Sequence, residues 1–237
     1  MTRATSTAHG ALTALTNAAR TNALLTSAHL SKALSCIART SGLAALLTLP
    51  GGVAHAQPRP VAAPVQIPLS IAVVQRDGAP VVSERWLTER VETANRIYAV
   101  CGIEFVVAAT RPLAPRHADL VTRADRHALG AAMEPRVANV FVVAALRDVD
   151  AEGFRQGVHW RPARMPGAHF VIVSANSGPS TLAHELGHFS GNGHSGVRGN
   201  LMSYERGDGD PFLDTAQQRR IAQFLARFLR TRELVPR

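Results

Sequence analysis

The segment His184-Glu185-Leu186-Gly187-His188-Phe189-Ser190-Gly191-Asn192-Gly193-His194 fixes three imidazoles, a carboxylate and a turn-forming glycine within eleven positions. Its spacing constrains the backbone first. Residues four apart lie about 5.4 Å apart along one helix face, so His184 and His188 point toward a common centre if this stretch is helical. Glu185 follows the first imidazole and projects its carboxylate beside that centre. Gly191 can take the left-handed conformation that ends a helix and reverses the chain, which returns His194 to the same place. Three neutral imidazoles suit one zinc ion and leave a coordination position open for water, as in a catalytic site and unlike a closed structural one. Zinc would lower the pKa of that water, and Glu185 would take its proton as general base and return it to a leaving amine. His-Glu-x-x-His alone would fit a solvated helix face equally well. The additional glycine and third histidine at fixed spacing make coincidence small.

Eight residues after His194 comes Met202, within Asn200-Leu201-Met202-Ser203-Tyr204. The eleven-residue segment and this methionine together resemble the metzincin family of zinc metalloendopeptidases. The resemblance implies that His184, His188 and His194 are the ligands of one catalytic zinc, Glu185 the base, Gly191 the turn residue, and Met202 an apolar floor that does not bind the metal. It also implies for Tyr204 the role that astacin-like and serralysin-like members give a tyrosine here, approaching the metal and stabilising the oxyanion. Ser195 is instead matrixin-like, and matrixins lack that tyrosine, so the subfamily stays open. Family members pair an extended substrate with an edge strand beside the cleft, a β-augmentation tolerant of sequence. Val158, His159 and Trp160 are the segment expected to bind substrate in this way.

The remaining chain reads as an α+β, zincin-like domain, with a mixed twisted sheet, a long backing helix, the motif helix and a small C-terminal subdomain ending in a helix. Apolar, β-branched runs predict strands over 67–75, 103–109, 137–145 and 168–174, with a short edge strand over 158–160 before Pro162 stops pairing. Ser83 caps a helix carrying Leu87, Val91, Ala94 and Tyr98 at helical spacing, and Gly102 stops it. Pro179 is expected at the start of the motif helix, and Ile221, Phe224, Leu225, Phe228 and Leu229 form one face of the last helix. Residues 116–133 read as a loop with some helix. Cys101 reads as a small buried apolar residue. His159 reads as packing or substrate contact, while His117, His127 and His169 have no paired spacing. The acidic, Gly-rich turn 205–210 is a conceivable calcium site but reads first as a solvated loop.

Residues 1–56 contain four basic residues and no acidic one, an apolar run over 42–49, and Ala54-His55-Ala56. These features predict a signal peptide cleaved before Gln57, hence a secreted or periplasmic protein; the apolar run is too short to span a bilayer. A Pro/Ala-rich linker, 57–66, would lead into a catalytic domain over 67–237. Of the +9 formal charge, 22 Lys and Arg against 17 acidic residues in 57–237 leave +5. The arginines are scattered, which argues against a nucleic-acid-binding face. A monomer acting on protein or peptide substrates is expected. Two other readings remain at this point: a silent zinc-containing binding or adhesion module, which intact Glu185 disfavours, and a zinc hydrolase acting on peptidoglycan-type amides.

Overall fold

The computed structural model describes residues 63–236 of the chain. The expected signal peptide and residues 57–62 of the expected linker lie outside the described residues. Strand β1 (Val65–Arg76) begins two residues earlier than expected and turns into the two-residue β2 (Ala79–Pro80). Helix α1 (Glu84–Tyr98) is capped by the Ser83 hydroxyl, which accepts from the Trp86 N–H. A short 3-10 turn follows, and Gly102, at φ 65°, closes it.

Strand β3 (Ile103–Leu113) runs farther than predicted, through Pro112. It pairs only with β1 and lies at the sheet margin, where a missing N–H is tolerated. The region expected to be mostly loop contains β4 (Asp119–Leu120) and α2 (Arg123–Ala128), the latter held by a reciprocal Thr122–Asp125 capping box. β5 (Ala138–Val143) and β6 (Ala145–Leu146) follow, and β6 pairs with β4 as a miniature second sheet. β7 (Gly157–Trp160), β8 (Phe170–Ser174), α3 (Thr181–Phe189) and α4 (Thr215–Thr231) complete the order. Helix α3 starts at Thr181, with Ser180 as its cap residue, so Pro179 precedes the helix instead of opening it.

In the main sheet the order of the longer strands is β3-β1-β5-β8-β7, parallel except for β7, which is antiparallel to β8 and forms an edge; the two-residue β2 pairs antiparallel with the end of β1. β5 and β8 are buried along their whole length, as unbroken apolar runs in a sheet covered on both faces require. Residues of α1, α3 and α4 pack on one face around Ile71, Val140 and Val173. On the other face, Phe141 and Phe170 meet edge to face at 5.0 Å among residues of β4, β6 and the α2 region. Tyr98 ties α1 to α3: its fully buried hydroxyl donates to the Ala183 carbonyl at 3.0 Å. Cys101 is half-buried rather than buried, and burial pushes its thiol up to about 11. Among the described residues, no helix is long and apolar enough to cross a membrane.

Candidate metal centre

Helix α3 brings His184 and His188 onto one face, and the chain reversal at Gly191, with φ 82°, returns His194 beside them. Among the described residues these three form the one group of metal-ligating side chains whose ligand atoms all lie within 4.8 Å of one another. Their tautomers follow from their other contacts. His184 Nδ1 lies 2.7 Å from the Leu201 carbonyl and His188 Nδ1 lies 2.7 Å from the Asn192 carbonyl. A carbonyl only accepts, so both Nδ1 atoms carry the proton and both Nε2 atoms present lone pairs.

His188 Nε2 and His194 Nε2 are 3.1 Å apart. His184 and His188 thus aim their Nε2 lone pairs at the space that His194 Nε2 also borders, and carbonyl-oriented imidazoles are the arrangement that metal sites use to fix ligand rings. Burial also holds the ligands neutral, moving His184 down to about 4 and lowering His188 and His194. The donor set therefore fits a divalent metal of the zinc type.

Glu185 is buried beside this group. Burial pushes its carboxyl up to about 8, opposed by the His159 backbone N–H and by Arg155. Its Oε2 has no hydrogen-bond partner, a costly state for a buried oxygen unless it serves chemistry or water. The space it occupies exists because residue 157 is glycine: a Cβ there would lie 2.8 Å from Glu185 Cγ and 2.8 Å from Thr181 Cγ2. The Tyr204 hydroxyl stands 2.9 Å from His194 Nε2, on a side chain that is otherwise exposed.

Met202 is fully buried beneath the histidines. A Cβ at Gly187 would lie 2.4 Å from its sulfur, so the methionine packs directly against the α3 backbone. Asn200 holds this turn: its Oδ1 accepts from the Met202 N–H at 2.9 Å, and its amide exchanges two 2.9 Å bonds with Gln217 of α4. At Gly191 a Cβ would collide with Phe224 at 2.2 Å, so that glycine serves helix packing as well as chain reversal.

A cavity of about 440 Å³, lined by Arg155, Gly157, Val158, His159, Glu185 and Tyr204 among others, opens over the histidines. A second, of about 370 Å³, adjoins it along Phe154, Gln156 and Arg206. Antiparallel pairing alternates between inward and outward backbone groups. Ser174 donates to the Gln156 carbonyl at 2.8 Å, so residues 156, 158 and 160 turn their backbone to β8, leaving that of Gly157 and His159 facing the cleft edge. Trp160 does not reach the cavity. Its side chain lies on the opposite sheet face, donating to His127 at 3.1 Å under the Arg126 guanidinium.

Arg155, Gly157, Asn200 and Gln217 were not singled out by sequence reasoning, and neither was the pairing of His159 with His169. The turn 205–210 forms ion pairs, Asp208 with Arg198 and Asp210 with Arg96, and gathers no ligand cluster.

No protein-family model matches the chain, and no curated protein matches it. Solved structures do. A promirolysin mutant from Tannerella forsythia superposes with a TM-score of 0.54 at 12% identity, over 73% of this chain and 84% of that one. Mirolysin in complex with a small compound gives 0.52 at 12% identity, over 68% and 91%. Metalloproteinase-II from Bacteroides fragilis gives 0.49 at 16% identity over 68% of this chain, which spans 53% of that protein. The mirolysin matches show a shared fold: the mixed α+β architecture is that of metzincin-type metalloproteases, with the histidine triad present at the expected place.

Proposed function

We propose that this chain, built on a metzincin-type fold, is an exported zinc-dependent endopeptidase that hydrolyses peptide bonds in extended segments of protein substrates. One observation carries the reading: three histidines with converging Nε2 atoms stand beside a buried carboxylate whose Oε2 lacks any partner. Held by His184, His188 and His194, zinc supplies Lewis acidity toward the scissile carbonyl and the attacking water.

Glu185 performs the proton chemistry. Its Oε2 accepts a proton from the attacking water and delivers it to the departing amine, for which a raised carboxyl pKa is suited. Tyr204 donates a hydrogen bond to the developing oxyanion, a position its 2.9 Å approach to His194 Nε2 supports. The outward backbone of Gly157 and His159 accepts an extended peptide as an added strand, which would hold the substrate without demanding a side-chain sequence. Export rests on the acid-free leader with its basic flank, short apolar run and Ala54-His55-Ala56.

The test incubates zinc-loaded residues 57–237 and the Glu185→Ala variant with a diverse peptide library and with peptidoglycan. Equal zinc content, with peptide cleavage by the native chain alone, supports the proposal. Cleavage of peptidoglycan alone moves the substrate to cell-wall amides, and turnover of neither returns the reading to a binding module.

A further inference from the structure

Behind the cleft, three titratable side chains from three separate elements form a line that the chemistry above does not use. His159 of β7 places Nε2 2.9 Å from His169 Nδ1, and His169 Nε2 lies 2.7 Å from Glu233 Oε1. His169 stands just before β8, and its side chain is 4% exposed. Glu233 lies just past α4, aimed inward by the left-handed conformation of Arg232 at φ 57° and by its own N–H donating to the Phe228 carbonyl. A non-glycine residue in that conformation is strained, and such strain persists where the surroundings demand it.

The proton order along this line is determined. The Glu233 carboxylate accepts from His169 Nε2–H, so neutral His169 presents its Nδ1 lone pair, which accepts from His159 Nε2–H. Burial favours neutral imidazoles at both positions, moving His159 down to about 3 and lowering His169. The rings also pack on the motif helix, His169 stacked on Phe189 at 4.1 Å and His159 edge-on to it at 5.9 Å. Phe189 directly follows the ligand His188.

We propose that Glu233, His169 and His159 are positioning residues: a hydrogen-bond relay, centred on the buried His169, that locks the edge strand β7 onto helix α3 and so fixes where Glu185 stands. The connection runs through the backbone. His159 and Gly157 face the same side of β7. His159 is pinned by the relay, its N–H addresses the Glu185 carboxylate, and Gly157 admits that carboxylate at contact distance. Without the relay, β7 keeps its pairing with β8 and the Val158 and Trp160 contacts on its far face, but its near face is no longer tied to His169 and Glu233, and the carboxylate loses its lateral reference. This inference rests on the peptidase reading for its catalytic consequence but not for its structural content.

The test uses His169→Phe, which keeps the stack on Phe189 and removes both hydrogen bonds, Glu233→Gln, which removes the charge at nearly constant shape, and the double variant. With zinc content unchanged, kcat falls about tenfold in His169→Phe at constant KM, as a small displacement of a reacting group predicts. The double variant falls no further than His169→Phe, because both changes break one path.

A second readout needs no turnover. In zinc-loaded protein, 15N spectra show His159 and His169 as Nε2–H tautomers, and the His159 backbone amide proton moves upfield in His169→Phe, in the direction it moves in Glu185→Ala. Unchanged kcat, additive losses or an unmoved His159 amide would overturn the relay. A native chain that cleaves nothing sinks the peptidase reading separately, and the tautomers with the amide shift still decide the relay.

Discussion

Replacing Gly157 with alanine perturbs Glu185 while leaving every metal ligand in place. The added Cβ would lie 2.8 Å from Glu185 Cγ, 2.8 Å from Thr181 Cγ2 and 3.0 Å from Glu185 Oε1, whereas carbon atoms in favourable contact sit about 3.5–4.0 Å apart. Roughly 1 Å of separation must be found. Thr181 is buried in the first turn of α3, and β7 is bound to β8, so the glutamate side chain is the part most free to move. Overpacking of this kind costs about 1–3 kcal/mol. Displacing a reacting group by about 1 Å costs on the order of a hundredfold in rate, or about 2.7 kcal/mol of transition-state stabilisation.

Gly157→Ala is therefore expected to lower kcat about a hundredfold, with zinc content unchanged and KM nearly so, because the outward backbone groups of β7 remain. The assay is steady-state cleavage of a peptide selected from the library, with zinc measured by mass spectrometry and folding by thermal melt. Native kcat in a folded, zinc-loaded variant would refute the claim that Gly157 sets the position of the base. Loss of zinc together with activity would show that the strain travels into the ligands instead.

Tyr204→Phe keeps zinc and fold, since the side chain is exposed, and lowers kcat by about 10²–10³-fold if the hydroxyl serves the oxyanion; stopped assays at saturating peptide measure it. Chelation removes activity, and restoring zinc at 1,000 times its dissociation constant raises stability by about 4 kcal/mol; an unchanged melting temperature would contradict the lone-pair argument. Gly187→Ala drives a Cβ to 2.4 Å from the Met202 sulfur and is expected to cost about 1–3 kcal/mol in urea unfolding, more than the same change at the exposed, uncrowded Gly193. Acidification destabilises the fold through His159. Its folded pKa of about 3 lies below the unfolded value, so stability is complete above about pH 6.5 and falls by up to about 1.4 kcal/mol per pH unit between there and pH 3. His159→Gln flattens that slope in melts at pH 7.5, 6.0 and 5.0, and an unaltered slope would count against a neutral buried imidazole.

The centre itself was legible because it is local: spacing on one helix, one glycine reversal and a nearby methionine require little beyond secondary structure. The edge strand was legible for a related reason, since Pro162 ends pairing just beyond Trp160. What escaped was non-local. Arg155 lies in no motif and enters the cavity only because its neighbours Phe154 and Gln156 bridge to Arg147 and Ser174. His169 and Glu233 are separated by 64 positions and meet only when α4 folds back over β8. The small β4–β6 sheet was missed because two-residue strands carry no periodicity. The Thr122–Asp125 capping box was a legible signal that the arginine- and alanine-rich composition around it obscured. Trp160 was expected to meet substrate as part of the edge strand; the twofold alternation of a strand sends its side chain to the opposite face from His159, against His127.

That alternation gives β7 two distinct tasks. Its Val158 and Trp160 side chains fasten it to the second core, where Trp160 meets His127 and Arg126, while Gly157 and His159 face the motif helix and leave the outward backbone, apart from the His159 N–H beside Glu185, free. A strand anchored by side chains on one face can present its edge to a substrate without peeling from the sheet, which backbone bonds to a single neighbour would not secure. The same division explains why glycine, the weakest strand former, stands beside the base. At position 157 a side chain would add packing on the wrong face and take the space Glu185 needs, whereas the strand stability that glycine forgoes is supplied two and three residues later by His159 and Trp160. The strand's sequence thus follows from its opposing demands, rigidity behind and vacancy in front, and exchanging Gly157 with Val158 should abolish both at once, leaving zinc bound but the base displaced.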